Sequence, residues 1–181
     1  SSNKPTSEKL ANYLHTKDLS RLSGEARADA LRELARQMNG LSAEERRRAR
    51  LAGEWDRWFA AMTEAEKGAF IEATLPSGFK QMLQSFEQLP EEKRRRAVEN
   101  TLRELQRLRE TVKNENPELA QTWGGSTNRP ALSPELQQKV VKLGLKSFYG
   151  ESSAQTKAEL APVIEEMQRT MESGRLFRGG Q

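Results

Sequence analysis

The sequence predicts an all-α protein, an irregular multi-helix bundle of about seven to eight helices with essentially no sheet. Strong helix formers, chiefly Ala, Leu, Glu, Arg and Gln, dominate the chain, whereas the β-branched residues Val and Ile are scarce. Apolar residues make up 35% of the 181 residues and charged residues 31%, which suits a thin helical assembly better than a deep α/β core. A helix-start phrase that recurs along the chain supports the same conclusion.

In this phrase, an apolar residue precedes Ser, Thr or Pro, and an acid follows. The five copies are LSGEARADA, LSAEERRRA, MTEAEKGAF, LPEEKRRRA and LSPELQQKV, beginning at residues 22, 41, 62, 89 and 132. Ser42 with Glu45, and Thr63 with Glu66, have the spacing of a capping box. Pro90 and Pro134 fit a first helical position, where the missing N–H costs nothing. The copies are irregularly spaced, so they indicate repeated helix starts; a tandem binding repeat is the alternative.

These starts, together with Gly and Pro stops, predict the helices in chain order. They are Ser7–His15, Ser23–Met38, Ser42–Ala61, Thr63–Thr74, a separate helix from Ser77, Pro90–Asn114, Ser133–Tyr149 and Ser153–Ser173. Pro76 is expected to end one helix and to place TLPSGFKQM at a tight corner. Pro162 is expected to kink the last helix or to start a new piece, and one helical turn is expected at 117–122.

One domain is predicted over residues 6–176, with flexible ends at 1–5 and 177–181. The Pro-, Gly- and Asn-rich stretch 115–132 also allows two sub-units, 6–115 and 131–176, joined by this loop. No run approaches 18 consecutive apolar residues, so the sequence contains no transmembrane helix. The start SSNKPTSEK lacks Met and predicts either a cloning remnant or a processed end.

Two basic runs, EERRRA and EKRRRA, raise the question of nucleic-acid binding. The chain has 30 Lys and Arg against 26 Asp and Glu, so its net charge of +4 is small. Neighbouring helical residues point about 100° apart, so consecutive arginines cannot face one ligand. Arg94 lies on the apolar stripe of its helix, whereas Arg96 points away from it. We therefore expect the solvated faces of capped helices; a nucleic acid, an acidic protein and an anionic membrane are the alternatives.

Apolar spacing predicts which helix faces are buried. Over 42–61 the predicted buried face comprises Leu51, Trp55, Trp58, Phe59 and Met62, with Arg46, Arg50 and Arg57 on the opposite side. On the helix from Pro90 the predicted stripe is Val98, Thr101, Leu102, Leu105, Leu108 and Val112. The candidate partner-binding residues are Lys80, Arg46, Arg50, Arg57, Arg96 and Trp123.

No motif indicates catalysis. The chain has no Cys and a single His, His15, so zinc and iron sites and thiolate chemistry are not expected. A Ser–Lys pair is the remaining route to a nucleophile, and any helical protein rich in Ser offers such pairs by chance. WGGSTN is glycine-rich but lacks the phosphate-loop pattern. We expect no catalytic residue, cofactor or metal, and an enzyme is the least favoured class.

Three stretches, LSAEERRRA, TLPSGFKQM and GLKSFYGESSAQTKAELAPVIEEMQ, resemble uncharacterised bacterial proteins that have an N-terminal membrane anchor and a helical domain outside the cytoplasm. The resemblance covers most of the chain and includes no catalytic motif, so it assigns no site residues. It implies an anchor upstream of Ser1. The recurring helix starts are also similar to those of small periplasmic helical chaperones.

The sequence thus predicts a non-enzymatic protein-interaction or scaffold domain, the extracytoplasmic part of an anchored protein. The alternatives are a basic helical nucleic-acid-binding module and a periplasmic holdase-like chaperone. A protein partner or self-association is expected, because long helices in a chain with few apolar residues often complete their core by association. A membrane is expected only through the upstream anchor, and a cytoplasmic location is the alternative.

Overall fold

A computed structural model describes residues 3–113 and 132–179, and these residues confirm the all-α prediction: they contain eight α-helices and no strand. The helices are α1 (Ser7–Thr16), α2 (Gly24–Gly40), α3 (Ala43–Ala52), α4 (Glu54–Ala61), α5 (Glu64–Gln88), α6 (Glu91–Lys113), α7 (Pro134–Glu151) and α8 (Ala154–Gly179), with a 3₁₀ turn at Leu19–Arg21. The helical turn predicted at 117–122 lies outside the described residues.

Hydroxyl caps begin the helices much as the recurring phrase predicts. Thr63 and Glu66 form a full capping box: the backbone N–H of Thr63 donates to Glu66 Oε1 (2.8 Å), and the N–H of Glu66 donates to Thr63 Oγ1 (3.1 Å). Ser133 Oγ accepts from the N–H of Leu136 at the start of α7. The cap residue before α2, Ser23, makes no side-chain capping bond.

The single helix predicted over 42–61 is wrong, because Gly53 divides it into α3 and α4. Gly53 has a φ of 73°, in the left-handed region that favours glycine, and its carbonyl accepts from the N–H of Asp56 (3.2 Å). The break resets the helical phase between Leu51 and Trp55. Trp58 and Phe59 are buried as predicted, but Leu51 is 73% exposed.

The helix stop predicted at Pro76 is also wrong: α5 continues through this residue to Gln88. A proline inside a helix removes one backbone donor and disturbs the carbonyls of the preceding turn. Here Asn39 Nδ2 donates to the Ala73 carbonyl (2.9 Å), and Ser77 Oγ lies 3.0 Å from the Thr74 carbonyl. Side chains therefore bond to the carbonyls next to the proline. At Pro162, of the two predicted outcomes, no new piece starts, because α8 continues through this residue; it also extends past the predicted end at Ser173.

The chain divides into two compact units, with boundaries inside α5 and α7. The first unit comprises Ser1–Met82 with Leu132–Ser147, and the second comprises Leu83–Ala131 with Phe148–Gln181. The main buried cluster belongs to the first unit and contains Leu10, Leu14, Leu19, Ala30, Leu34, Met38, Leu41, Ala49, Trp58, Phe59, Met62, Phe70, Ile71 and Leu136. None of these residues comes from α6, the longest predicted helix.

Apolar packing and a few directed hydrogen bonds fix the first unit. Trp58, which is 2% exposed, donates from Nε1 to the Leu14 carbonyl (3.2 Å), and its ring lies 5.7 Å from that of Tyr13. The Tyr13 hydroxyl donates to the Ala30 carbonyl (3.2 Å). Burial raises the pKa of this phenol, and the nearby Glu33 carboxylate adds to the effect.

In the second unit, α6 and α8 pack against each other and run in the same direction. Arg94, near the start of α6, forms an ion pair with Glu159 near the start of α8 (2.8 Å), and Arg109 pairs with Glu166 farther along both helices (2.9 Å). Of the stripe predicted on α6, Leu105 is buried, whereas Thr101 is exposed. The remaining described members, Val98, Leu102 and Leu108, are half-buried.

Candidate interaction surface

Arg46 on α3 is held inside the first unit. Its Nη2 donates to the Met38 carbonyl (2.9 Å) and to Ser77 Oγ (2.8 Å), and its Nη1 lies 3.4 Å from the Thr74 carbonyl. Ser77 in turn donates to Asn39 Oδ1 (2.7 Å). The guanidinium thus joins the end of α2 to the Pro76 region of α5. Burial lowers the pKa of Arg46, because desolvation disfavours its charged form.

The motif TLPSGFKQM serves this packing. A Cβ at Gly78 would lie 3.0 Å from Arg46 Nη1, so a side chain at this position would crowd the guanidinium. Phe79 packs closely on Gly144 of α7, where a Cβ would lie 3.2 Å from the ring. Gln81 donates to the Leu41 carbonyl (2.7 Å). Within the described chain, most of the motif is therefore explained by contacts inside the first unit.

The start of α3 is anchored to α1. Ser42 Oγ accepts from the N–H of Glu45 (3.1 Å), but the Glu45 carboxylate does not complete the predicted capping box. It accepts instead from the N–H of Ser7, the first residue of α1 (2.7 Å). This hydrogen bond from the Ser7 backbone lowers the pKa of Glu45, and the charge of Arg48 contributes further. One turn on, Ala49 is buried in the core cluster.

The opposite face of α3 presents the most exposed large apolar side chain of the described chain. Leu51 stands there with Arg47 and Arg50, which are exposed and form no ion pair with another described residue. The three positions have i, i+3 and i+4 spacing, which places them on one helix face. We refer to Arg47, Arg50 and Leu51 as the α3 surface. It combines two uncompensated guanidinium groups with an apolar side chain.

Many other cations face carboxylates within their own unit. Arg27 binds both oxygens of Glu66 (2.7 and 2.8 Å), and its side chain is 19% exposed. The Arg27 bonds lower the pKa of Glu66 to about 2, and the Thr63 N–H adds to this shift. In the second unit, hydrogen bonds from Arg94 lower the pKa of Glu159. These guanidinium groups are therefore engaged and do not form a shared anion-binding strip.

The structure separates the predicted partner-binding residues. Lys80, Arg50, Arg57 and Arg96 are exposed on α5, α3, α4 and α6 respectively. Arg46 faces inward, so the position predicted for it on the outer side of the helix is wrong. Trp123 lies outside the described residues. Sequence reasoning missed Arg47 and Leu51 as members of one surface, although Gly53 followed by acids in AGEWD indicates a helix stop and a new start.

The remaining titratable groups offer little for chemistry within the described part of the chain. His15 Nε2 lies 3.1 Å from Glu54 Oε1 in an exposed position. No three His, Asp or Glu side chains come close enough there to hold a metal ion.

An apolar groove of about 390 Å³ lies between α2 and α5, and a cleft of about 300 Å³ lies between α5 and the lysines of α7. No described helix has the length and apolarity that crossing a bilayer requires.

Comparison with protein-family models, with curated proteins and with solved structures finds no match to this chain. The α3 surface is exposed and anchored from behind, and it contains two arginines, a residue type that is enriched among the energetically important residues of protein interfaces.

Proposed function

We propose that this chain is a non-enzymatic protein-interaction or scaffold domain, the extracytoplasmic part of a membrane-anchored bacterial protein. The observation that carries the proposal is the 73% exposure of Leu51 on a helix whose other side is fixed to α1, α2 and α5. Exposing a leucine in water forgoes burial worth about 1.5–3 kcal/mol, which a partner would recover on binding. The compartment rests on the resemblance of the sequence to anchored bacterial helical domains.

A nucleic-acid-binding module is less well supported. Phosphate binding requires several cations along one acid-free strip. In the described chain Arg27, Arg94 and Arg109 face glutamates, and Arg48 is paired with Glu44 and Glu45. The cations that remain without a carboxylate partner are distributed over several helices.

The test is to capture binding proteins from membrane and periplasmic extracts of the source cell, and to rebuild each complex from purified components. We expect a reconstituted complex that Leu51→Asp weakens by at least about tenfold, because an unpaired charge replaces the apolar contact. Tyr149→Asp is the matched control, since Tyr149 is also a large exposed side chain (58%) but lies on α7 in the second unit.

Three results would contradict the proposal. One is the absence of any partner that rebuilds from purified components, and another is equal weakening by Leu51→Asp and Tyr149→Asp. The third is tight, salt-sensitive binding to DNA or RNA, which would favour the nucleic-acid reading. Suppression of the aggregation of an unfolded client by the free domain would instead indicate a holdase.

A further inference from the structure

We propose that the α3 surface binds an acidic helical segment of a protein partner, whose carboxylates pair with Arg47 and Arg50 while an apolar residue packs on Leu51. This inference rests on the proposed function and adds the chemical class of the partner. It also names the contacts, so it can fail while the proposed function stands.

The charge of the surface is not neutralised from within the described chain. The two acids nearest in α3 are already engaged: Glu44 pairs with Arg48 (2.9 Å), and Glu45 pairs with Arg48 (2.9 Å) and accepts from the Ser7 N–H (2.7 Å). The positive charges of Arg47 and Arg50, next to Leu51, therefore have no carboxylate partner in the described chain. Since a guanidinium forms strong paired hydrogen bonds with a carboxylate, Asp or Glu side chains are the complementary groups.

The spacing of the surface favours a helix as the acidic segment. Arg50 and Leu51 each lie one turn from Arg47, one on either side of it, so the three side chains span about 100° of the helix surface. A partner helix that carries two acids three residues apart, followed directly by an apolar residue, places its groups with the same i, i+3 and i+4 periodicity. Helices recognised in this way present a stripe of anchors rather than a single contact.

The surface is rigid enough to bind without first becoming ordered. Behind it, Arg46 donates to Met38 and Ser77, Glu45 bonds to α1, and Ala49 is buried. These contacts fix the axis and rotation of α3. The main entropic cost of binding is then the ordering of the Arg47 and Arg50 side chains, and this cost is modest.

One leucine beside two arginines suits a protein better than the other polyanions. A phosphate backbone gains nothing from Leu51 and needs a longer row of cations. An anionic bilayer attracts clusters of more bases, typically about 4–8, next to a larger apolar face. The pairing of one apolar side chain with two guanidinium groups therefore favours the acidic helix.

The experiment measures fluorescence anisotropy with a labelled synthetic helix of about 20 residues, long enough to be helical in water. The probe carries two glutamates three residues apart followed directly by a leucine, and its analogue carries glutamine at both glutamate positions. We expect the Glu peptide to bind at least about tenfold more tightly than the Gln peptide, and the preference to fall as salt rises. The double variant Arg47→Glu, Arg50→Glu should abolish the preference, whereas Lys93→Glu on α6, an exposed charge reversal, should leave it unchanged.

The inference is overturned if the Glu and Gln peptides bind equally, if neither binds, or if Lys93→Glu has the same effect as the double variant. It is also overturned if vesicles of phosphatidylcholine and phosphatidylglycerol, or duplex DNA, bind more tightly than the Glu peptide and lose binding in the double variant. Circular dichroism of each variant establishes that it is folded. A rebuilt partner complex that depends on Leu51 but not on Arg47 or Arg50 would overturn this inference and leave the proposed function intact.

Discussion

The two units of the molecule are stabilised by different kinds of buried side chain. In the first unit the buried residues are mostly apolar, and Leu34, Trp58 and Phe70 are typical. In the second unit the described buried residues are apolar and polar in equal number: Leu83, Leu105, Phe148 and Val163 against Ser152, Thr156, Glu166 and Thr170. The first unit therefore depends almost entirely on the hydrophobic effect, whereas the second also buries polar groups that need hydrogen-bonding partners.

The polar groups of the second unit form directed contacts between helices. Glu87 accepts from Thr156 Oγ1 (2.9 Å) near the start of α8, and Glu166, only 4% exposed, contacts Arg109 (2.9 Å) and Arg169 (3.0 Å). Such networks specify one alignment of two helices, but each depends on every member being present. We therefore expect the two units to differ in which type of buried side chain, apolar or polar, lowers stability when it is mutated.

The largest effect is expected from shortening a core leucine of the first unit. Leu34→Ala should lower the free energy of unfolding by about 3–4 kcal/mol, because it removes burial and leaves a cavity. Leu51→Ala removes the same atoms from an exposed site and should change stability by less than about 0.5 kcal/mol. Urea unfolding followed by circular dichroism measures both. Equal losses in the two variants would contradict the burial assigned to Leu34 and Leu51.

A smaller loss, about 2–3 kcal/mol, is expected for Glu166→Ala in the second unit, because Arg109 and Arg169 lose the buried carboxylate that they share. The neighbouring Glu165 is exposed, so Glu165→Ala is the control and should have little effect. Thermal and urea unfolding of the three proteins give the comparison. If Glu166→Ala is as stable as wild type, the second unit does not depend on its polar contacts.

Arg46→Leu tests the polar network of the first unit and should cost about 2 kcal/mol, because the carbonyls of Met38 and Thr74 and the Ser77 hydroxyl lose a donor. Arg50→Leu makes the same chemical change on the α3 surface and should be nearly neutral to stability. Comparing unfolding midpoints separates the two roles. A larger loss in the Arg50 variant would reverse the assignment of inner and outer arginines.

The smallest effect is expected in how the stability of the protein changes at acidic pH. The pKa of Glu66 is held at about 2 in the fold, below its value in the unfolded chain, so its ion pair with Arg27 stabilises the protein above about pH 4.5. This contribution, about 1–2 kcal/mol after solvent screening, should be lost as the pH falls towards 2. Stability measured against pH should therefore decline less steeply in Glu66→Gln. Glu8→Gln on α1 is the exposed control, and a steeper decline in Glu66→Gln would refute the assignment.

Features of the fold that depend on neighbouring residues were predictable from the sequence. Thr63 and Glu66 form their capping box, and Ser133 caps α7, because each uses groups three residues apart. The arginine run at 94–96 diverges as helical geometry requires: Arg94 is half-buried, whereas Arg95 and Arg96 are exposed. Local chemistry thus set the helix starts and the directions of these side chains.

Features that depend on distant residues were not predictable. The side-chain donors to the carbonyls beside Pro76, Asn39 and Arg46, lie 34 and 28 residues from the carbonyls that they contact. The Glu45 carboxylate accepts from the N–H of Ser7, 38 residues away, and so does not complete its own capping box. The α3 surface was missed for a more local reason, since one glycine with positive φ changed the phase that had placed Leu51 inside. A single residue decided that side chain's exposure.

The parallel pairing of helices has a consequence for how the chain folds. Lys139 pairs with Glu72, which lies 67 residues earlier in the sequence, and Glu159 pairs with Arg94, which lies 65 residues earlier. Helices α5 and α6 thus leave the ribosome well before the helices that cover them, and Leu136, a member of the first core, follows both. Docking of α7 on α5 and of α8 on α6 must wait until these later helices are synthesised, which predicts a slow final step of folding and a period in which the uncovered faces of α5 and α6 need protection from aggregation.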